Sequence, residues 1–432
     1  MALRTSRREV VAGALGTVGL AAAAHAQELL HLATDQKVRI ACIGVNGKGD
    51  SDSNDAGRLG EVVAICDIDD NSLARKAAQF PNAKKFHDYR HMLEQMESSI
   101  DAVTVSVPDH NHGPAAAMAM EMGKHCFCQK PLAHSVYEVR RLETIAREKK
   151  VATQMGNQGT ASSNLRRAAA QVRKGSIGKV IEVHVWTNRP IWPQGISYPS
   201  PAPKPANVHW HDWIGPARYR PYEPGLHPFS WRGFWDFGCG ALGDMGCHTM
   251  NLPYMALDLR DPVRVHAKTS GNNHESYPKS SVIRYDFAPN SQRGAVAMYW
   301  YDGGQLPSAE LLPGTKFSSS GSLMIGSHGV LYSPGDYGDT IQYIGGVDVG
   351  PVDFPESPGH FEEFIRACQG GVPAYSNFPN YAGPLAETVV LGNLAVWADG
   401  KPIEWDSRHM RTRNAPEVES IVHPRFYNGY HV

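Results

Sequence analysis

Val38-Arg39-Ile40-Ala41-Cys42-Ile43-Gly44-Val45-Asn46-Gly47-Lys48-Gly49 decides the fold. A short run that is apolar apart from one arginine reads as a strand buried on both faces. The glycines that follow permit a tight turn and let backbone N–H groups approach a pyrophosphate at the start of the next helix. The pattern is an imperfect G-x-G-x-x-G, because Asn46 takes the middle glycine position; Asn tolerates positive φ better than most residues. Gly44, Asn46, Gly47, Lys48 and Gly49 are therefore candidate cofactor contacts. Asp67 closes the next apolar run, near the roughly 20-residue offset at which a carboxylate accepts hydrogen bonds from ribose hydroxyls. A carboxylate there repels a 2′-phosphate, which favours NAD, and Lys48 keeps NADP open. A helix cap before residues 69–76 is the other reading of Asp67.

Working outward, apolar runs at 61–66, 102–107, 125–128 and 151–155 alternate with helical stretches at 114–122 and 136–149. That alternation predicts a doubly wound parallel sheet, a Rossmann domain over residues 37–157. After Thr160 the texture changes: a helix over 161–174, an alternating strand over 180–187, a Pro/Trp-rich stretch from Asn188 to Phe237, a helix over 241–259, then period-two segments at 263–268, 281–287 and 295–301. Residues 158–432 are expected to form an α+β domain with a large, open-faced, mainly antiparallel sheet.

Two further segments carry a family resemblance. Met122-Gly123-Lys124-His125-Cys126-Phe127-Cys128-Gln129-Lys130-Pro131 resembles the A-G-K-H-V-x-x-E-K-P motif of the Gfo/Idh/MocA oxidoreductases, and Gly238-Cys239-Gly240-Ala241-Leu242-Gly243-Asp244-Met245-Gly246-Cys247-His248 resembles their G-G-G-x-x-x-D-x-x-x-H motif. Val107-Pro108-Asp109-His110-Asn111-His112 is a third match, adding Pro108, His110 and His112 to the cofactor candidates. The resemblance implies an NAD(P)-dependent sugar dehydrogenase or oxidoreductase in which His248 is the general acid/base, Asp244 orients the substrate or its proton, and Lys130 polarises the reacting oxygen. It also implies a homo-dimer or homo-tetramer paired through the open sheet face. The chemistry agrees: hydride abstraction from a carbinol needs a base for the hydroxyl proton and a positive group for the developing alkoxide. Asp244 and His248, four apart on a helix, share one face.

Two positions depart from the family pattern. Gln129 replaces the glutamate of E-K-P and lacks its charge, although it can still hydrogen-bond a nicotinamide ribose. Asp109 stands where Asn is common, as a general base or as a turn former after Pro108. Asn157, Gln158, Arg189, Trp192, Trp231 and Trp235 are the candidate sugar contacts, and a proline-rich loop that only packs the domain interface has the same composition. The Asp244/His248 pair, with His209, His211 and Asp212 or with His110 and His112, also has ligand types for a metal, but none is expected because the redox pattern accounts for the pair.

Charge and cysteines narrow the field. Forty-two Lys+Arg against 43 Asp+Glu give a net charge of -1, with no excess of either sign for nucleic acid or an anionic membrane. The seven cysteines are odd in number and lack a small-scaffold spacing, which predicts buried free thiols. Residues 1–26 read as a twin-arginine export signal: Ser6-Arg7-Arg8-Glu9-Val10-Val11, a glycine-interrupted apolar run too short for the roughly 20 residues of a membrane span, and Ala24-His25-Ala26 as a cleavage site before Gln27. The expected product is a periplasmic enzyme without stable membrane insertion; an uncleaved anchor is the other reading. The periplasm offers no obvious nicotinamide pool, so the nucleotide is expected to stay bound and be recycled in place. Redox-neutral glycosidase or lyase chemistry through a transient keto-sugar is thus the alternative activity, and a non-catalytic NAD- and sugar-binding protein is the second alternative.

Overall fold

The computed structural model describes residues 37–345, 347 and 349–432; the export signal read at residues 1–26 lies outside them. The first domain alternates strands β1 (Arg39–Ile43), β2 (Glu61–Cys66), β3 (Lys84–Phe86), β4 (Ala102–Val105), β5 (His125–Cys128) and β6 (Thr153–Met155) with helices α1 (Lys48–Leu59), α2 (Asp70–Gln79), α3 (Tyr89–Gln95), α4 (His112–Glu121) and α5 (Val136–Lys149). All pairings in this sheet are parallel, in the order β3-β2-β1-β4-β5-β6. The order reverses beside β1, and that switch point opens the crevice in which such sheets bind ligands. Helix starts follow local capping: Asp69 accepts from the Asn71 amide, Asp88 from Arg90 and Ser135 from Glu138.

The chain continues through α6 (Ser163–Arg173), β7 (Val180–Trp186), α7 (Trp210–Ile214), α8 (Gly240–Thr249) and α9 (Asn251–Leu257). Strands β8 (Arg264–Thr269), β9 (Ser281–Phe287), β10 (Val296–Tyr301), β11 (Gly321–Gly326), β12 (Val330–Pro334) and β13 (Gln342–Ile344) follow, then α10 (His360–Cys368), α11 (Gly383–Trp397), β14 (Ile403–Asp406) and β15 (Arg411–Thr412). Nine strands form the second sheet, in the order β13-β12-β11-β7-β10-β9-β8-β14-β15, antiparallel except for β7 against β10. On β9 and β10 burial alternates strictly, as expected for a sheet with one packed face.

Two features tie the halves together. Helix α10 lies well beyond residue 157, yet its Phe361, Phe364, Ile365 and Cys368 join Ile40, Cys42 and Phe127 in one core against the Rossmann sheet. Arg166 of α6 donates to Glu363 of α10 at 2.6 Å, with both side chains at 3% exposure or less. Removing one partner of so buried a pair costs about 3–5 kcal/mol. All seven cysteines are buried and free. Among the described residues no helix is long and apolar enough to cross a membrane.

The helix expected over 241–259 breaks into α8 and α9. The Pro/Trp-rich stretch does form a core of its own, with Trp210 stacked on Trp213 at 4.5 Å beside Leu226, Phe234 and Phe237. It is pinned to the loop before α2, where the Asp70 amide donates to the Asn207 carbonyl and the His209 amide to that of Ile68, each at 2.9 Å.

Candidate active site

Between the Rossmann domain and the Pro/Trp-rich stretch lies a cleft of about 630 Å³. Gly44, Asn46, Gly47, Lys48 and Asp67 line it, as do Pro108, His112, Gln129, Lys130, Asp244 and His248. The segments read separately along the sequence thus meet in one space. Lys130 is delivered at the carboxyl end of β5, Asp244 and His248 from one face of α8.

Asp244 is the electrostatic centre of the reacting end. Lys130 Nζ donates to its Oδ1 at 2.8 Å and to its backbone carbonyl at 2.7 Å. The guanidinium of Arg189 lies 3.3 Å from its Oδ2 and that of Arg232 3.5 Å from its Oδ1. Burial alone would raise its carboxyl, but Lys130 and Arg232 outweigh that and hold it well below the carboxylate range. His248 is the opposite case: burial, then the charge of Lys130, push its imidazole well below the usual histidine range, so it is neutral. Its Nδ1 has no partner among the described residues, and the edge of its ring meets Tyr337 at 5.2 Å between centroids.

A neutral imidazole accepts a proton, and a depressed pKa keeps that form present until pH falls far below the ordinary value of 6.5. The acid limb of turnover is therefore expected well under pH 6.5. A kcat/KM profile with a limb at or above that value would remove His248 as the base.

Gln129 is held by a residue that sequence reading missed. Asp52, fully buried on α1, accepts from Lys48 Nζ at 2.6 Å, Ser106 Oγ at 2.7 Å and Gln129 Nε2 at 2.8 Å. The amide at 129 is needed as a donor because the carboxylate now stands at 52. Asp109, also fully buried, accepts from Arg232 at 3.0 Å and from the Cys239 amide at 3.0 Å. It clamps the glycine-rich start of α8, a role that neither the base nor the turn reading named.

Four candidates lie off the cleft. His110 is sealed between the carbonyls of Trp213 and Phe237, at 3.0 and 3.2 Å, which joins α7 to the turn before α4. Trp235 stacks on Tyr277 at 3.7 Å. Asn157 is buried, with its Oδ1 accepting from Ser376. Gly49 lies behind the turn, where a Cβ would strike the carbonyl oxygen of Gly44. Gln158, Arg189, Trp192 and Trp231 do line the cleft. At its other end Asp70 pairs with His209 at 3.1 Å and His87 at 3.4 Å. The two rings stack nearly parallel at 3.8 Å with both Nε2 atoms turned to Asp70 Oδ1, and one ligand-type atom from each of the three residues lies within 4.8 Å of the others, a spacing that a metal ion could bridge.

Two family profiles match the chain: "Oxidoreductase family, NAD-binding Rossmann fold" over residues 15–157, and "Oxidoreductase family, C-terminal alpha/beta domain" over 170–294, together more than half of it. The chain belongs to the Gfo/Idh/MocA oxidoreductases. Among relatives of this family, the levoglucosan dehydrogenase of Pseudarthrobacter phenanthrenivorans is 22% identical over 189 residues, 44% of this chain and 40% of that protein. A glycosyl hydrolase family 109 protein of Shewanella woodyi is 34% identical over 157 residues, 33% of each. The chain thus spans less than half the length of these curated relatives. The WlbA dehydrogenase of Bordetella pertussis, solved with NADH and UDP-GlcNAcA, superimposes with a TM-score of 0.62 over 86% of this chain and 99% of that one, at 17% identity, and so shares the fold.

The Gfo/Idh/MocA cofactor is NAD, and the residues present suit it. Gly44 has φ +79°, and a Cβ there would collide with the Ser106 carbonyl oxygen, so only glycine lets β1 turn this tightly toward α1 at the edge of the cleft. Among the described residues no side chain caps the start of α1; the Gly49 and Asp50 amides donate to the Asn46 and Gly47 carbonyls, so the Lys48 amide at the helix start is the one placed for a pyrophosphate. Asp67 accepts from the Val45 and Asp69 amides at 3.0 Å each and keeps lone pairs for ribose hydroxyls. Asp67→Ala is expected to lower the preference for NAD over NADP by on the order of tenfold, one charge repulsion's worth. Dissociation constants for the two nucleotides check it, and an unchanged ratio would leave Asp67 as a loop support only.

Proposed function

We propose that this oxidoreductase moves a hydride between a tightly held NAD and a sugar or sugar derivative. The observation that carries the proposal is the meeting of Lys130, Asp244 and a neutral His248 at one end of a cleft whose other end is the glycine turn. When bound, NAD supplies the hydride acceptor. His248 takes the carbinol proton. Lys130 holds the oxygen as negative charge develops there. Asp244 fixes Lys130 in place, its Oδ1 accepting from Nζ at 2.8 Å. Trp192 and Trp231 offer flat faces to sugar C–H groups, and Gln158 and Arg189 offer donors to hydroxyls.

A redox-neutral variant of the same chemistry, in which a transient keto-sugar lets a glycosidic bond break, draws support from the match to a glycosyl hydrolase family 109 protein. One experiment separates the two. Nucleotide released on denaturation is identified, and the intact protein is then incubated with sugars and glycosides while the NADH band and the products are followed. Lasting reduction supports the dehydrogenase, and glycoside cleavage without net reduction supports the variant. Bound sugar with neither outcome points to a non-catalytic binding protein.

The residue 1–26 pattern supports export by the twin-arginine pathway to the periplasm, with the nucleotide loaded beforehand; a mature protein beginning at Gln27 is the expected outcome of N-terminal sequencing. The half-exposed face of β9 and β10 supports pairing into dimers or tetramers, which sedimentation equilibrium tests.

A further inference from the structure

We propose that the sugar taken by this site carries a carboxylate, as uronic and aldonic acids do, and that Arg189 and Arg232 hold it. The inference rests on the sugar-oxidoreductase reading and deepens it. At the reacting end the cleft is lined by three cations, Lys130, Arg189 and Arg232, and by two carboxylates, Asp109 and Asp244. His248 adds no charge, being held neutral by burial and by Lys130. Lys48, farther along, is matched by Asp52. The opposite end of the same cleft carries Asp67 and Asp212, and Asp88, which Arg90 answers at 2.6 Å. The space is therefore polarised, with a surplus of one positive charge where the substrate sits.

Surplus charge in a partly buried site is costly unless a ligand matches it. Hydride chemistry on a neutral carbinol asks for one cation at the oxygen, and Lys130 is that group. Arg232 answers Asp109, at 3.0 Å. Arg189 has no carboxylate of its own: it shares Asp244 with Lys130, at 3.3 Å, and its Nη1 donates to the Asn188 side chain.

Geometry points the same way. Arg189 and Arg232 lean on the two oxygens of one carboxylate, so their heads are neighbours. Neither Nη2 has an acceptor among the described residues, and neither is sealed from solvent. Arg232 is braced over the Trp231 ring at 4.3 Å, which fixes the plane of its guanidinium. Two forked donors facing open space, one of them pre-oriented, suit a planar acceptor with two charged oxygens better than a hydroxyl.

The test compares matched pairs, glucose with glucuronate and galactose with galacturonate, together with the corresponding sugar phosphates, on the full protein with its nucleotide. Initial rates and thermal-shift titrations are read in parallel. The acids are expected to exceed their neutral partners by on the order of ten- to a hundredfold in kcat/KM or affinity, the range of a hydrogen bond to a charged group. Arg189→Met should remove most of that ratio with nucleotide content unchanged. Equal or better use of the neutral sugars overturns the carboxylate and leaves the oxidoreductase reading intact, as does a preference for sugar phosphates. Failure of every sugar, charged or neutral, to bind or react overturns the reading beneath it. The wild-type comparison stands even if the variant does not fold.

Discussion

Lys130→Met is expected to reduce turnover by on the order of 10²–10⁴-fold, the range for losing a positioned charge or proton-transfer partner at a reacting oxygen. Nucleotide content should stay near that of the wild type, because the glycine turn and Asp67 hold the cofactor from the other end of the cleft. Asp244 is not orphaned in the variant, since Arg189 and Arg232 remain at 3.3 and 3.5 Å, so the loss reads as chemistry more than as folding. A second, independent signature accompanies it. Lys130 is the largest charge holding His248 down; without it the imidazole titrates at higher pH, and the acid limb of the residual activity moves up toward the ordinary histidine value. Single-turnover rates across pH check both parts. Full turnover, or a fall with no movement of the limb, would separate Lys130 from His248 and undo the assignment.

Gln129→Glu should be strongly damaging for so conservative a change. It replaces the amide that donates to Asp52 at 2.8 Å with a second buried carboxylate. Breaking a buried pair in this way costs about 3–5 kcal/mol. The sign with pH follows from like-charge repulsion: one of the two carboxyls acquires a raised folded-state pKa, so the variant holds its proton at low pH and loses stability as pH rises through that value. The deficit against wild type is therefore larger at pH 8 than at pH 5. Adding Asp52→Asn restores one donor to one acceptor and should recover most of the loss in both melting temperature and nucleotide affinity. A double variant no better than the single would show that Asp52 and Gln129 act independently.

The Rossmann half was legible because each of its signals is local. An apolar run closed by glycines, a carboxylate at the end of the next run and a lysine closing β5 can each be read within about a dozen residues. Asp52 was not legible. In sequence it is one more polar residue on a polar helix, and only folding brings it to Ser106 and Gln129, 54 and 77 residues away. Helix α11 escaped for a different reason, since it is apolar all round and offers no amphipathic period to count. Strands β11 to β13 and helix α10 likewise drew no expectation; α10 is placed by long-range packing on a sheet completed some two hundred residues earlier. The tryptophans mark the limit of composition. Trp192 and Trp231 line the cleft while Trp235 packs on Tyr277, and a ring that stacks on protein has the same letter as one that stacks on sugar.

The seam between the Pro/Trp-rich stretch and the loop before α2 bears on how the protein handles its cofactor over time. The 207–209 backbone is stitched to residues 68 and 70, and the next residues, Asp212 and Trp213, wall the same space as Asp67 and His87. The seam closes one side of that space, so its opening is one route by which a dinucleotide lodged there would leave. Under the proposed reading of a tightly held nucleotide, the exchange rate should then follow how often that backbone zipper opens.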